Sequence, residues 1–118
     1  MRLTSYQQQT EPPFIDLKHK VILTQADTEI ITRFSTSIES KRTIFTDLNG
    51  LSMSERKRRD DLPIQHNVFP MSETVFIQDD NHRMTIVSRQ AVGTASMSNG
   101  MHTCYWIDRP PRFTNLML

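Results

Sequence analysis

A chain of 118 residues holds one domain at most, and at that size much of the surface stays exposed around a modest core. Apolar residues make up 36% of it, against the roughly 45–50% (glycine included) usual for compact soluble domains, so core material is scarce. Fourteen Lys and Arg against thirteen Asp and Glu leave a net charge of +1, which supplies no global field for steering nucleic acid or anionic lipid, and a lone Cys104 excludes an internal disulfide framework.

The opening "MRLTSYQQQTEPP" has neither the apolar core of a signal peptide nor an Arg-rich amphipathic pattern, and residues 1–13 read as a disordered or unrelated segment. No apolar run anywhere approaches the roughly 20 residues of a membrane helix. The periodicity beyond is that of strands. From Phe14 to Leu23, entered through Pro12-Pro13, Ile15, Leu17, Val21 and Leu23 share one face and Asp16, Lys18 and Lys20 the other, with His19 interrupting the apolar set: a half-buried strand.

Between Glu29 and Glu39 the same rule sets Ile30, Thr32, Phe34, Thr36 and Ile38 inward and Arg33, Ser35, Ser37 and Glu39 outward. Next comes "IFTDLNGL", Ile44 to Leu51, where Asn49-Gly50 between apolar residues marks a short hairpin turn whose backbone amides the Asp47 side chain can bond. "TVFIQ" and "RMTIVSRQ" form a second hairpin across Asp79 to His82. "MHTCYWID" follows the tight-turn signal Asn99-Gly100 and ends before Pro110-Pro111, which cannot donate to a ladder. At least five strands with turn-rich connections predict an all-β fold.

Several residue groups invite a chemical reading. Asp47, Asn49 and Gly50 carry the first half of a calcium loop, but the later oxygen ligands and closing bidentate Glu are missing, which favours the turn. The run "ERKRRDD", Glu55 to Asp61, gathers four consecutive cations, yet its flanking acids neutralise them and no aromatics are interleaved, so it reads as a solvated loop and not as a nucleic-acid contact. His102 and Cys104 share a strand face, with His19, His66 and His82 scattered elsewhere; one H-x-C pair falls short of the paired ligands of a zinc site. Cys104 has no thiol-nucleophile signature around it and reads as a small buried hydrophobe. The carboxylate pairs Asp60-Asp61 and Asp79-Asp80 sit in loop sequence, where neighbours point apart, which does not suit a glycosidase acid and nucleophile. No P-loop, dinucleotide fingerprint or nucleophile elbow is present. No catalytic, cofactor-binding or metal-ligating residue is therefore expected in this chain.

The order of the motifs carries further. "IFTDLNGL", then "LPIQHNVFPM", then "VFIQDDNHRMTIVSRQAVGTASMSNG" and finally "IDR" resemble the carboxy-terminal β domain of the family 38 class II α-mannosidases, of the Golgi α-mannosidase II and lysosomal α-mannosidase group. In that family a Phe- or Tyr-Thr-Asp-Leu-Asn-Gly block precedes Leu-Pro-hydrophobic-Gln-x-Asn-x-Tyr-Pro-Met, then an Ile-Gln-Asp turn, an Arg-Leu-Thr strand and a Gly-Val-x-Ser segment. The resemblance runs from Glu29 to Arg109. It implies a partial β-sandwich of the galactose-mutarotase-like type over residues 14–109, followed by a divergent Pro-containing tail, 110–118. It also implies an origin in enzymes that trim N-linked glycans with retention, whose zinc ligands, aspartate nucleophile and acid/base residue lie in a separate amino-terminal barrel.

No catalytic residue is carried over, and the arginine that the family supplies beyond its Asp-Arg has no match, since Arg112 sits in the Pro-rich tail. The expected role is a non-catalytic portion of an α-mannosidase, inactive alone, with the zinc-bearing catalytic domain as partner and a Golgi or lysosomal lumen as the implied location. The alternative is a free-standing sandwich that binds glycan or protein, with Trp106, Tyr105 and Phe76 as candidates for stacking on a sugar. Tyr105 and Trp106 alternate along one strand, so at most one of them can join a sugar platform.

Overall fold

The computed structural model describes residues 2–6, 14–21, 30–98, 103–107 and 114–117, with side chains over 14–18 and 30–98. Its strands are β1 (Arg2–Tyr6), β2 (Phe14–Val21), β3 (Ile30–Phe34), β4 (Thr43–Leu48), β5 (Ser52–Lys57), β6 (Phe69–Met71), β7 (Thr74–Gln78), β8 (Arg83–Val87), β9 (Val92–Ser96), β10 (Thr103–Ile107) and β11 (Thr114–Met117), with one 3₁₀ turn at Ile64–Asn67. Every pairing is antiparallel. They form three sheets, ordered β1-β2-β11, β3-β10-β9-β6 and β5-β4-β7-β8.

The two four-stranded sheets enclose the core. In the β5-β4-β7-β8 sheet, Thr46 lies opposite Val75, Val75 opposite Ile86 and Ile77 opposite Met84, which sets these side chains on one face beside Ile44. Ile38, Ile44, Met71, Val75, Ile77 and Ile86 are buried together, and Phe34, Phe69, Met84 and Val92 pack against them from both sheets. Full burial of each aliphatic side chain is worth about 1.5–3 kcal/mol relative to exposure. The result is the all-β fold expected from the alternation, arranged as the partial sandwich that the family resemblance implies.

Both anticipated hairpins are present. β4 and β5 pair from Thr43 with Lys57 to Leu48 with Ser52, and β7 and β8 pair from Thr74 with Val87 to Gln78 with Arg83. The burial alternation expected from Ile30 onward also holds, with Ile38 buried, but strand pairing stops at Phe34. Beyond it the Ile38 amide donates to the Thr36 hydroxyl and the Ser40 amide to the Ile38 carbonyl, and Lys41 and Arg42 take positive φ, so local bonds replace ladder bonds.

β2 departs from expectation. It lies between β1 and β11 in the third sheet, not hydrogen-bonded to either four-stranded sheet, and Ile15, expected inward, is 63% exposed. Phe14 is 52% exposed as well, whereas Leu17, on the Ile15 face, is half-buried. β9, "VGTAS", has no alternation because Thr94, Ala95 and Ser96 are all buried. Both of its faces are covered, which selects small residues: a Cβ on Gly93 would stand 2.9 Å from Val68 Cγ1. The turn at Asn99-Gly100 lies outside the described residues.

Candidate functional site

The densest polar arrangement among the described residues is built on Asp47, near the end of β4. Asn49 and Gly50 adopt φ of 51° and 70°, the left-handed conformations that let β4 reverse into β5. The Leu51 amide donates to the Leu48 carbonyl at 3.0 Å. The Gly50 amide donates to Asp47 Oδ2 at 3.1 Å, as anticipated, while Oδ1 accepts three further amides, from Ser72 at 2.8, Glu73 at 3.0 and Thr74 at 3.1 Å. The Ser72 hydroxyl donates to Asn49 Oδ1 at 3.0 Å, and the Asn49 amide approaches Ser72 Oγ at 3.3 Å. Burial alone would raise the Asp47 pKa, but the amides of Glu73, Thr74, Gly50 and Ser72 outweigh it and hold the carboxyl below its ordinary value of 3.8. Asp47 is thus a fixed anion that locks the β4–β5 tip to the segment entering β7.

The basic run at the end of β5 is bound up within the fold. Arg58 and Arg42 both engage the Asp60 carboxylate, and Arg58 Nη1 donates to the Ser96 carbonyl at 3.1 Å. Arg59 donates to Asp61 through Nε at 3.2 Å and Nη2 at 2.6 Å, and this pair raises the arginine pKa and lowers the aspartate's. The Arg56 guanidinium lies 5.5 Å from the Phe69 ring centroid. The buried Asn67 side chain accepts the Arg59 amide at 2.7 Å, and its own amide group faces the carbonyls of Arg59, Leu62 and Pro63 at 2.9–3.3 Å. Three of the four adjacent cations, Arg56, Arg58 and Arg59, thus make contacts within the fold, and Asp60 and Asp61 are held by different arginines.

Asp79 organises the other hairpin. Its Oδ1 accepts the amides of Asn81 at 2.8 Å and His82 at 2.7 Å, and its Oδ2 that of Glu39 at 3.2 Å. The Asn81 and His82 amides are the main cause of its lowered pKa. A general acid needs its carboxyl raised towards the working pH, whereas Asp47, Asp61 and Asp79 all move the opposite way.

On the outer face of the same sheet Phe45 and Phe76 stack with centroids 4.6 Å apart at 11°. The Arg83 guanidinium lies 4.4 Å from the Phe76 centroid, and its Nε and Nη2 donate to Gln78 Oε1 at 3.0 and 2.6 Å. Phe76 is thus packed between a ring and a cation, which disfavours it as an open sugar platform. The Phe45 partnership escapes sequence reasoning because it depends on the register of strands distant in sequence; both residues do occupy outward positions. Tyr105 and Trp106 lie on β10, but their side chains, with those of His19, His102 and Cys104, fall outside the described residues. His82 Nδ1 is 3.6 Å from Asp79 Oδ1. Among the described residues no three His, Cys, Asp or Glu side chains come together to hold a metal ion, and no helix is long and apolar enough to cross a membrane.

Comparison with known proteins places this geometry in context. Residues 5–102 match the model of the glycosyl hydrolases family 38 C-terminal domain. Alpha-mannosidase 2 of Rattus norvegicus is 43% identical over 72 residues, covering 61% of this chain and 6% of the relative. Alpha-mannosidase 2 of Arabidopsis thaliana is 41% identical over 75 residues, 63% of this chain and 6% of the relative. The epididymis-specific alpha-mannosidase of Sus scrofa is 33% identical over 88 residues, 73% of this chain and 9% of the relative. The chain thus spans less than a tenth of the length of these curated relatives.

Proposed function

The chain belongs to the family of glycosyl hydrolases family 38 C-terminal domains, and from that premise we propose that it is a non-catalytic, scaffolding portion of an α-mannosidase, inactive by itself. Its role is to present a rigid β surface to the polypeptide that carries the chemistry. Zinc, the nucleophile and the acid/base residue belong to that polypeptide. The compartment follows from the same reading: the lumen of the Golgi or lysosome, where N-linked glycans are trimmed.

The single observation that carries this reading is the disposition of the carboxylates. Glycoside hydrolysis by an acid and nucleophile pair requires two carboxyls facing one another across the scissile bond, one of them with a raised pKa. Of the four described carboxylates with the most contacts, Asp47 is enclosed by four backbone amides, Asp60 and Asp61 are tied to arginines, and Asp79 closes a turn. Each serves the backbone or a local ion pair.

The test is direct. The purified chain, given an aryl α-mannoside with added zinc, is expected to release no aryl alcohol above the rate of the buffer. Turnover that a chelator abolishes would defeat the proposal.

A further inference from the structure

Two of the chain's three glycines directly follow an asparagine, at Asn49-Gly50 and Asn99-Gly100. Such a dipeptide is chemically reactive, because no glycine side chain hinders its nitrogen from attacking the asparagine Cγ. An N–Cγ bond forms, the Cγ–Nδ2 bond breaks, and ammonia leaves with the glycine's amide proton. Water then opens the cyclic imide, at Cγ to give aspartate or at the backbone carbonyl to give isoaspartate, which carries one extra carbon in the backbone. Asn49 and Gly50 are both exposed, so water reaches the site.

The fold acts on both reacting groups. The nucleophile is occupied: the Gly50 N–H donates to Asp47 Oδ2 at 3.1 Å. Loss of that proton would set an amide anion against a carboxylate, and a carboxyl held below its ordinary pKa by four amides is a poor base for removing it. The electrophile is held as well, since Asn49 Oδ1 accepts the Ser72 hydroxyl at 3.0 Å, which ties the side-chain amide to the β6–β7 loop.

We propose that Asn49 is a latent deamidation site, kept unreacted in the folded chain by the Asp47 and Ser72 contacts and released when the β4–β5 tip opens locally. This stands apart from the mannosidase reading. The rate in the folded chain then reports opening of the tip. Isoaspartate, once formed, lengthens the backbone inside a reversal whose ends, Leu48 and Ser52, are paired, so the altered tip cannot close in the same register.

The experiment incubates the full chain at neutral pH in buffer and in concentrated urea and follows each asparagine by peptide mapping and mass spectrometry. In urea Asn49 and Asn99 are expected to convert at comparable rates; in buffer Asn49 is expected to convert about tenfold or more slowly than in urea. Ser72→Ala, first shown folded by circular dichroism, is expected to speed conversion of Asn49 in buffer about threefold or more, the worth of one hydrogen bond. Gly93→Ala, in the other sheet, is expected to leave that rate at the wild-type value, which separates the local contacts from general stability. Conversion of Asn49 in buffer as fast as in urea would overturn the proposal, and faster conversion would make Asp47 and Ser72 promoters of the reaction. A rate that Ser72→Ala does not change, or that Gly93→Ala raises equally, would also overturn it.

Discussion

Asp47 commits its carboxylate to four backbone amides, which makes it the most consequential single residue described. In Asp47→Asn one acceptor oxygen becomes a donor facing amides that also donate. Charge-assisted hydrogen bonds contribute roughly 1.5–3 kcal/mol each and losses within one node are not additive, so urea denaturation is expected to show a total loss of about 2–3 kcal/mol. The folded pKa lies below the ordinary 3.8. The stability it confers is therefore complete above the unfolded value and fades as pH falls through the folded one. Denaturation midpoints of the wild type are expected to be level down to about pH 5 and to fall below about pH 4, more steeply than those of Asp47→Asn. A buried residue with the opposite fault is Thr46, fully buried with a hydroxyl that has no partner. Thr46→Val is isosteric and β-branched, so calorimetry is expected to show stabilisation of about 1 kcal/mol. The turn role of Asp47 is legible from its place two residues before Asn-Gly. Its grip on residues 72–74 is not, because that contact is made by tertiary folding.

Among the elements, those read correctly are the ones whose pattern is local. The β7–β8 hairpin follows from two alternating runs and a polar connection, and the Asn49-Gly50 reversal from residue type alone. β9 is opaque because alternation reports one buried face, and Thr94, Ala95 and Ser96 are buried on both. β2 misleads for the converse reason: its alternation is good, but nothing in a single strand states which sheet it joins. The close approach at Gly93 yields a prediction for β9. Val68 is β-branched and stiff, so Gly93→Ala forces a backbone adjustment and is expected to lower stability by about 1–2 kcal/mol. A denaturation midpoint equal to the wild type's would show that Val68 yields freely.

At the scale of the whole molecule, the two enclosing sheets carry one shared core, and among the described residues the β5-β4-β7-β8 sheet has β5 and β8 at its edges. β5 and β8 each have one paired neighbour, and Val87 on β8 is 59% exposed. Such edges template association with other strands. Sedimentation velocity is expected to show association that grows with concentration and that Val87→Lys diminishes; a monomer with a sharp cooperative melt across the same range would contradict this. The family was legible in the order of short motifs, whereas composition pointed to no function at all.

The strand order β3-β10-β9-β6 has one more consequence, which concerns synthesis. All of the β5-β4-β7-β8 sheet lies within residues 43–87, in neighbouring hairpins, while β3 must wait for residues 103–107 to find its partner. On the ribosome the first sheet can close as soon as Val87 clears the exit tunnel and the β6–β9 pair once Ser96 does, but β3 can join the second sheet only when β10 emerges. The interval of exposure therefore runs from the emergence of β3 to that of β10, when chaperone occupancy is expected to be highest and slowing the ribosome to do the most harm.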